Sequence, residues 1–346
     1  MKKTRFAIVG CGDVGNDIGL ISRFSRRIQT VACVDTNRSK AELFAKKHKI
    51  PEVYTDYDEL LGKCDLDFVY LAVPHYLHYP MITKAVEKNL PVFCEKPITN
   101  TLDSALELCN LVNQKDAKVG INYQYRYDKA CYALAKASHK GELGEIFYIR
   151  CNVPWSRGKS YFSESVWHGN KDQSGGGTLI TQASHIVDVA LWIADSRPVS
   201  VTGLKKQKVF KDVEVEDLFM GTIETESDCQ IQLCSSMVVA EEQCITMEVY
   251  GSKGTGIYNG HFFPKVKFLG QKIKKEKPPV RGIHAIAASL EGFRRWVTGE
   301  MDYEMPIWNS LEVLATVDAL YKASESGNTE KLDKRYLECI EKTGSL

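Results

Sequence analysis

The chain has 346 residues, 44% hydrophobic and 26% charged, an ordinary globular composition; since single cores stop growing beyond ~250–300 residues, two domains are predicted. Lys and Arg number 45 against 44 Asp and Glu, a net charge of +1, so no global field recruits nucleic acid or an anionic membrane. The eleven scattered cysteines never form C-x-x-C, which fits reduced thiols better than a disulfide framework.

The start, Met1-Lys2-Lys3, is basic, but the apolar stretch from Phe6 to Val9 is too short for a signal peptide. No apolar run approaches the ~20 residues that span a bilayer, so a cytoplasmic location is expected. From Arg5 to Asn122 short β-branched runs alternate with amphipathic stretches, the pattern of β-α-β units in a parallel sheet. Strands are predicted at Phe6 to Val9, Thr30 to Val34, Phe68 to Val73, Val92 to Glu95 and Lys118 to Ile121, with a weaker one near Val53 and Tyr54. Helices fill the gaps, and Pro51 and Pro91 mark the ends of two of them, Ala41 to His48 and Tyr79 to Lys88.

Directly after the first strand, Gly10-Cys11-Gly12-Asp13-Val14-Gly15 matches G-x-G-x-x-G. Gly10 permits the tight turn, Gly12 lets the backbone approach a pyrophosphate, and Gly15 lets helix and strand pack closely. The second strand ends at Asp35, about 20 residues past Gly15, where a carboxylate accepts from the adenosine ribose and repels a 2′-phosphate. NAD is therefore favoured, and the nearby Arg38 keeps NADP as the minority alternative. Asp35 as a plain helix cap fits the same geometry.

After a helix near Lys129 to His139 and a Gly-Glu-Leu-Gly turn at 141–144, longer strands follow. Val199 to Val209, Leu218 to Thr225, Cys229 to Val238 and Ile245 to Tyr250 read as an antiparallel sheet, one face on helices and the other open to a second subunit. Lys265 to Lys277 reads as a surface hairpin and loop, and the helices Ala285 to Val297 and Ser310 to Ser324 close the chain. The fold class expected is an α/β Rossmann domain with a doubly wound parallel sheet over residues 1–122. An α+β domain with an open, largely antiparallel sheet follows over 123–346.

Three further elements join the glycine fingerprint: Ala72-Val73-Pro74 with His75 and His78 after the third strand, Glu95-Lys96-Pro97 after the fourth, and Gly175-Gly176-Gly177 running through His185 to Asp188. Together they resemble the Gfo/Idh/MocA oxidoreductase family over essentially the whole chain. The resemblance implies a dehydrogenase acting on a secondary alcohol of a sugar, cyclitol or (nucleotide-)sugar derivative, with Lys96 beside nicotinamide and substrate hydroxyl. It places Glu95 near the nicotinamide ribose, Asn122 near the nicotinamide and Arg126 on the substrate side; Pro97 resembles a family proline that follows a cis peptide. On composition alone Lys96 would be a solvated lysine, and His185 a core histidine satisfied by Asp188.

The resemblance also marks Thr181, His185 and Asp188, spaced i, i+4, i+7 on one helical face, with His185 as the proton acceptor. Many relatives have aspartate where this chain has Thr181, which cannot ionise; Gln182 follows it in a Gln-x-x-His arrangement that other branches share. His75 and His78 form H-x-x-H, but further zinc ligands are not evident, so no metal is expected and the pair is read as lying on the nicotinamide side of the cofactor or as a simple helix start. Trp155, Ser156, Arg157, Tyr161, Trp167 and His168 suit a sugar ring, with Arg157 able to meet a carboxylate or phosphate; lid packing or an interface fits them equally. Redox-assisted glycoside cleavage and NAD sensing without catalysis are the alternative activities on this fold. The partners expected are a small sugar-like molecule and further copies of the chain, as a homodimer or homotetramer through the second sheet.

Overall fold

The computed structural model describes residues 3–260, 263–280, 282 and 284–341, so Met1 and Lys2 of the basic start lie outside it. Six strands form the first sheet: β1 (Thr4–Val9), β2 (Ile28–Val34), β3 (Glu52–Tyr54), β4 (Phe68–Leu71), β5 (Val92–Cys94) and β6 (Val119–Ile121). All pair in parallel, in the order β3-β2-β1-β4-β5-β6. The order reverses between β1 and β4, and the crevice beyond the carboxyl ends of such strands is where doubly wound sheets take ligands. Helices cover both faces, which is why β4 is apolar at every position and has no exposed residue.

Those helices are α1 (Asp13–Phe24), α2 (Arg38–His48), α3 (Tyr57–Lys63), α4 (His78–Glu87) and α5 (Leu102–Lys115). Asn37, Asp56 and Thr101 cap α2, α3 and α5 by accepting from Lys40, Glu59 and Ser104 amides. At α1 the cap position is Gly12 and no side chain caps it, so the first-turn amides are left for another acceptor. Strands expected to reach Val73 and Glu95 stop at Leu71 and Cys94; the chain leaves the sheet before Pro74 and Pro97, which have no N–H for a ladder.

The second sheet has eight strands: β7 (Ile146–Pro154), β8 (Pro198–Lys206), β9 (Leu218–Thr225), β10 (Gln230–Ser236), β11 (Ile245–Gly251), β12 (Thr255–Gly260), β13 (Lys265–Leu269) and β14 (Glu330–Lys331). Their order is β13-β12-β11-β7-β10-β9-β8-β14. Pairings are antiparallel except at the centre, where β7 and β10 run parallel, so the sheet is mixed. The sequence reading passes over β7 because its consecutive residues Phe147 and Tyr148 are both exposed, at 50% and 43%, which blurs the period of two. The strand expected to reach Val209 ends at Lys206, where the Asp217 carboxylate takes the amides of Lys208, Val209 and Phe210 and curls the chain away.

Helix α6 (Lys129–His139), the short α7 (Ser160–Ser163) and α8 (Lys171–Ser174), α9 (Ser184–Ala194), α10 (Ala285–Val297), α11 (Ile307–Ser326) and α12 (Arg335–Glu341) complete the chain. The chain returns to the first sheet through α10: Phe293 stacks on Phe93 with centroids 4.8 Å apart and meets Phe68 edge-on at 5.3 Å. One continuous apolar cluster therefore joins both sheets. Among the described residues no helix is long and apolar enough to cross a membrane.

Candidate active site

Gly10 turns the chain with φ +95°, and a Cβ there would lie 2.1 Å from the Ala72 carbonyl oxygen. The loop after β1 is thus tucked under the loop after β4, and only glycine fits. Nothing lies within 4 Å of a Cβ placed on Gly12, so bare backbone meets open space at the uncapped start of α1, with Asp13 and Val14 exposed at the mouth. Open backbone amides at a helix N-terminus suit the pyrophosphate of a dinucleotide. At the end of β2 the Asp35 carboxylate accepts from the Cys11 amide at 3.1 Å and the Asn37 amide at 3.0 Å. Lys40 Nζ stands 3.4 Å from it, while Arg38 is exposed and paired with Glu42 at 2.8 Å. Cys11, 3% exposed, offers its amide to Asp35 rather than its thiol to the crevice.

Ala72, Val73 and Pro74 form a half-buried rim after β4. His78, expected at the cofactor, has no exposed surface; its Nδ1 lies 2.7 Å from the Pro97 carbonyl and its Nε2 3.0 Å from that of Val73. Burial pushes it down to about 4, so the neutral ring donates to one of these carbonyls and is held between the two loops. His75 is similarly occupied, with Nδ1 2.7 Å from the Ser174 carbonyl and its ring against Trp167 at 4.7 Å. Asn122 is fully buried, its amide donating to Glu95 at 2.7 Å and its carbonyl accepting from Ser289 at 2.8 Å. It stands behind Glu95, which also accepts the Tyr70 hydroxyl; burial raises the pKa of that carboxyl.

The Lys96–Pro97 peptide is cis, and Lys96 Nζ donates to the backbone carbonyl of Thr181. Burial, then the positive Arg157, lowers its ammonium to about 8 against the partial opposition of Glu95. Thr181 lies in a π-helical turn, Leu179–Ala183, that precedes α9. Its hydroxyl donates to the Gly177 carbonyl at 2.7 Å, leaving only its carbonyl for Lys96. His185 packs against the rings of Tyr123 and Tyr125, at 5.5 and 5.2 Å. Burial first and the Lys96 charge second hold its imidazole well below the usual range, so it is neutral at physiological pH. Lys96 is therefore close enough for its charge to add to the effect of burial on His185.

His185 and Asp188 lie three residues apart in α9, on one face, whereas Thr181 sits in the π-helical turn before α9, which offsets its expected spacing to them. Asp188 is fully buried and takes the Arg126 guanidinium, with Nε at 3.0 Å and Nη2 at 2.8 Å; Arg126 Nη1 donates to the Glu304 carbonyl at 3.2 Å. Arg126 is thus paired inside the fold. His185 accordingly lacks the Asp188 partner, and its Nδ1 has no hydrogen bond among the described residues; neither have Gln182 Nε2 and Gln124 Oε1 nearby. Buried polar atoms without partners belong where a ligand or water completes them. Gln124 is missing from the sequence reading, which assigned only Asn122 and Arg126 of its stretch to the site.

The aromatic cluster forms one stack beside Lys96. Arg157 lies over Trp155 at 5.0 Å and Tyr161 at 5.6 Å, Tyr161 stacks on His168 at 4.2 Å, and His168 on Trp167 at 3.9 Å. Glu242, absent from the sequence expectations, joins this rim by accepting from Arg157 at 3.1 Å.

Residues 4–123 match a family model described as an oxidoreductase family with an NAD-binding Rossmann fold, and residues 132–256 match the GFO/IDH/MocA C-terminal domain. An uncharacterised oxidoreductase of Schizosaccharomyces pombe is 30% identical over 320 residues, covering 82% of this chain and 85% of that protein. The D-glucoside 3-dehydrogenase of Escherichia coli is 25% identical over 352 residues, covering 95% and 97%. Among solved structures, the WlbA dehydrogenase of Bordetella pertussis in complex with NADH and UDP-GlcNAcA superposes with a TM-score of 0.85 at 22% identity, covering 96% and 99%.

Proposed function

Because the chain belongs to the Gfo/Idh/MocA family of NAD-binding oxidoreductases, we propose that it oxidises and re-reduces a secondary alcohol of a sugar, cyclitol or sugar derivative. The observation that carries this reading is that Lys96, just after β5, acts electrostatically on the neutral His185, whose Nδ1 has no hydrogen bond among the described residues. NAD, when bound, supplies the hydride acceptor. The open amides at Gly12 hold its pyrophosphate and Asp35 its adenosine ribose, in keeping with the uncapped α1. His185 takes the proton of the substrate hydroxyl, and the Lys96 ammonium stabilises the negative charge growing on that oxygen. Glu95, braced by Tyr70 and Asn122, shapes the nicotinamide side. The D-glucoside dehydrogenase and the sugar-nucleotide ligand of the WlbA structure favour a sugar-like substrate.

The test is NADH formation, followed by absorbance, over a panel of sugars, cyclitols, sugar acids and UDP-sugars. Net NADH with an oxidised sugar is expected; glycoside cleavage without net NADH, or tight NAD binding without any turnover, would sink the reading. Changing Asp35 to Ser removes the ribose acceptor and the charge that opposes a 2′-phosphate. The ratio of kcat/KM for NAD over NADP is expected to fall by about 10- to 100-fold, the worth of a charged hydrogen bond; an unchanged ratio would make Asp35 a structural cap.

A homodimer or homotetramer through the outer face of the second sheet completes the proposal. Leu204 and Met220 are paired on adjacent strands and exposed at 49% and 45%, and Tyr148 stacks on Tyr250 at 4.3 Å on the same face. Sedimentation at micromolar concentration is expected to show a species of at least two chains, and a monomer would argue against this face as an interface.

A further inference from the structure

We infer that the substrate is a sugar acid, whose carboxylate binds Arg157 and the Ser156 backbone N–H, the two donors that the Glu242 side chain occupies in this structure. The inference rests on the dehydrogenase reading above and deepens it by fixing the charge of the substrate. Arg157 is rigidly presented: its guanidinium lies over Trp155 at 5.0 Å and Tyr161 at 5.6 Å, and Nη1 donates to the Ser156 carbonyl at 2.9 Å.

Two cations, Lys96 and Arg157, border this side of the crevice, with Arg157 near enough for its charge to act on Lys96. The histidines beside them do not add to that charge, because burial drives His168 down to about 4 and holds His75 and His185 well below their usual range. Among the carboxylates nearby, Glu95 partly offsets the Lys96 charge while accepting from Tyr70 and Asn122, and Asp188 is consumed by Arg126. The carboxylate paired with Arg157 is that of Glu242, whose side chain is 55% exposed.

The Glu242 carboxylate stands 3.1 Å from Arg157 Nη1 and 3.4 Å from the Ser156 amide. An exposed ion pair of this kind is weakly held, so a substrate carboxylate with better burial can displace it. The two donors converge on one oxygen of Glu242, as they would on an oxygen of a substrate carboxylate, and the charge-assisted Arg157 bond favours an anion there.

The test is calorimetric titration of the NADH-loaded protein with hexuronates and aldonates, their neutral parent sugars, and hexose phosphates. At least one sugar acid is expected to bind about 10-fold or more tightly than its neutral parent. Arg157→Gln should erase that difference while leaving NADH affinity unchanged, and Glu242→Gln should tighten the acid by about threefold, since it removes the competing internal anion. Equal binding of acids and neutral parents, an acid preference indifferent to Arg157→Gln, or tighter binding of phosphates than of carboxylates would each overturn the assignment. Binding is read without turnover, so its outcome is separate from whether NADH forms in the assay of the proposed function.

Discussion

Lys96→Met is expected to lower turnover about 10³-fold or more, since removal of a preorganised charge at a developing oxyanion costs about 10²–10³ and loss of proton handling adds to it. NAD affinity should stay within about twofold, because the uncapped α1 amides and Asp35, which carry the dinucleotide in this reading, lie outside its contacts. Methionine keeps the length and the apolar contacts of the lysine stem while removing the ammonium. It also leaves the Thr181 carbonyl in the π-helical turn without its donor. A thermal melt close to the wild type would show that the fold tolerates this. NAD titration and single-turnover NADH formation then separate the two effects. Retained turnover in a folded, NAD-binding variant would remove Lys96 from the chemistry.

The first sheet was legible because its strands are short apolar runs between glycine and proline punctuation, and a doubly wound sheet imposes that composition on its buried strands. The second sheet was harder. Its outer face is open, so β7 carries Phe147 and Tyr148 in succession, and the parallel join of β7 to β10 leaves no local mark in the chain. At the site, the glycine turn and Lys96 were readable from motif and position. What the sequence hides is how polar groups are spent. Arg126, Asn122 and His78 are the residue types a ligand site needs, yet each is consumed by a partner distant in sequence: Asp188, Ser289 and Pro97. Helical spacing also misled, since a π-helical turn leaves no compositional trace and takes Thr181 out of the α-helical register expected to align it with His185 and Asp188.

The pH dependence of the oxidation discriminates between the two groups at the reacting oxygen. His185 is well below its usual range through burial and the Lys96 charge, so its imidazole is neutral, and able to accept a proton, throughout the neutral range. Lys96, lowered to about 8, is cationic below that pH and loses its charge above it. If the ammonium stabilises the oxyanion and His185 takes the proton, kcat/KM for oxidation holds through neutral pH and falls above about 8 with the loss of one proton. Lys96→Arg keeps the charge at alkaline pH, so the alkaline fall should vanish in that variant even where the absolute rate is lower. His185→Gln should cost about 10²- to 10⁴-fold, the range of a positioned acid-base group, while the alkaline fall persists in the residual rate. An oxidation rate that instead rises through pH 8 in the wild type would mean that the neutral amine of Lys96 is the base. His185 would then be left to shape the pocket between Tyr123 and Tyr125.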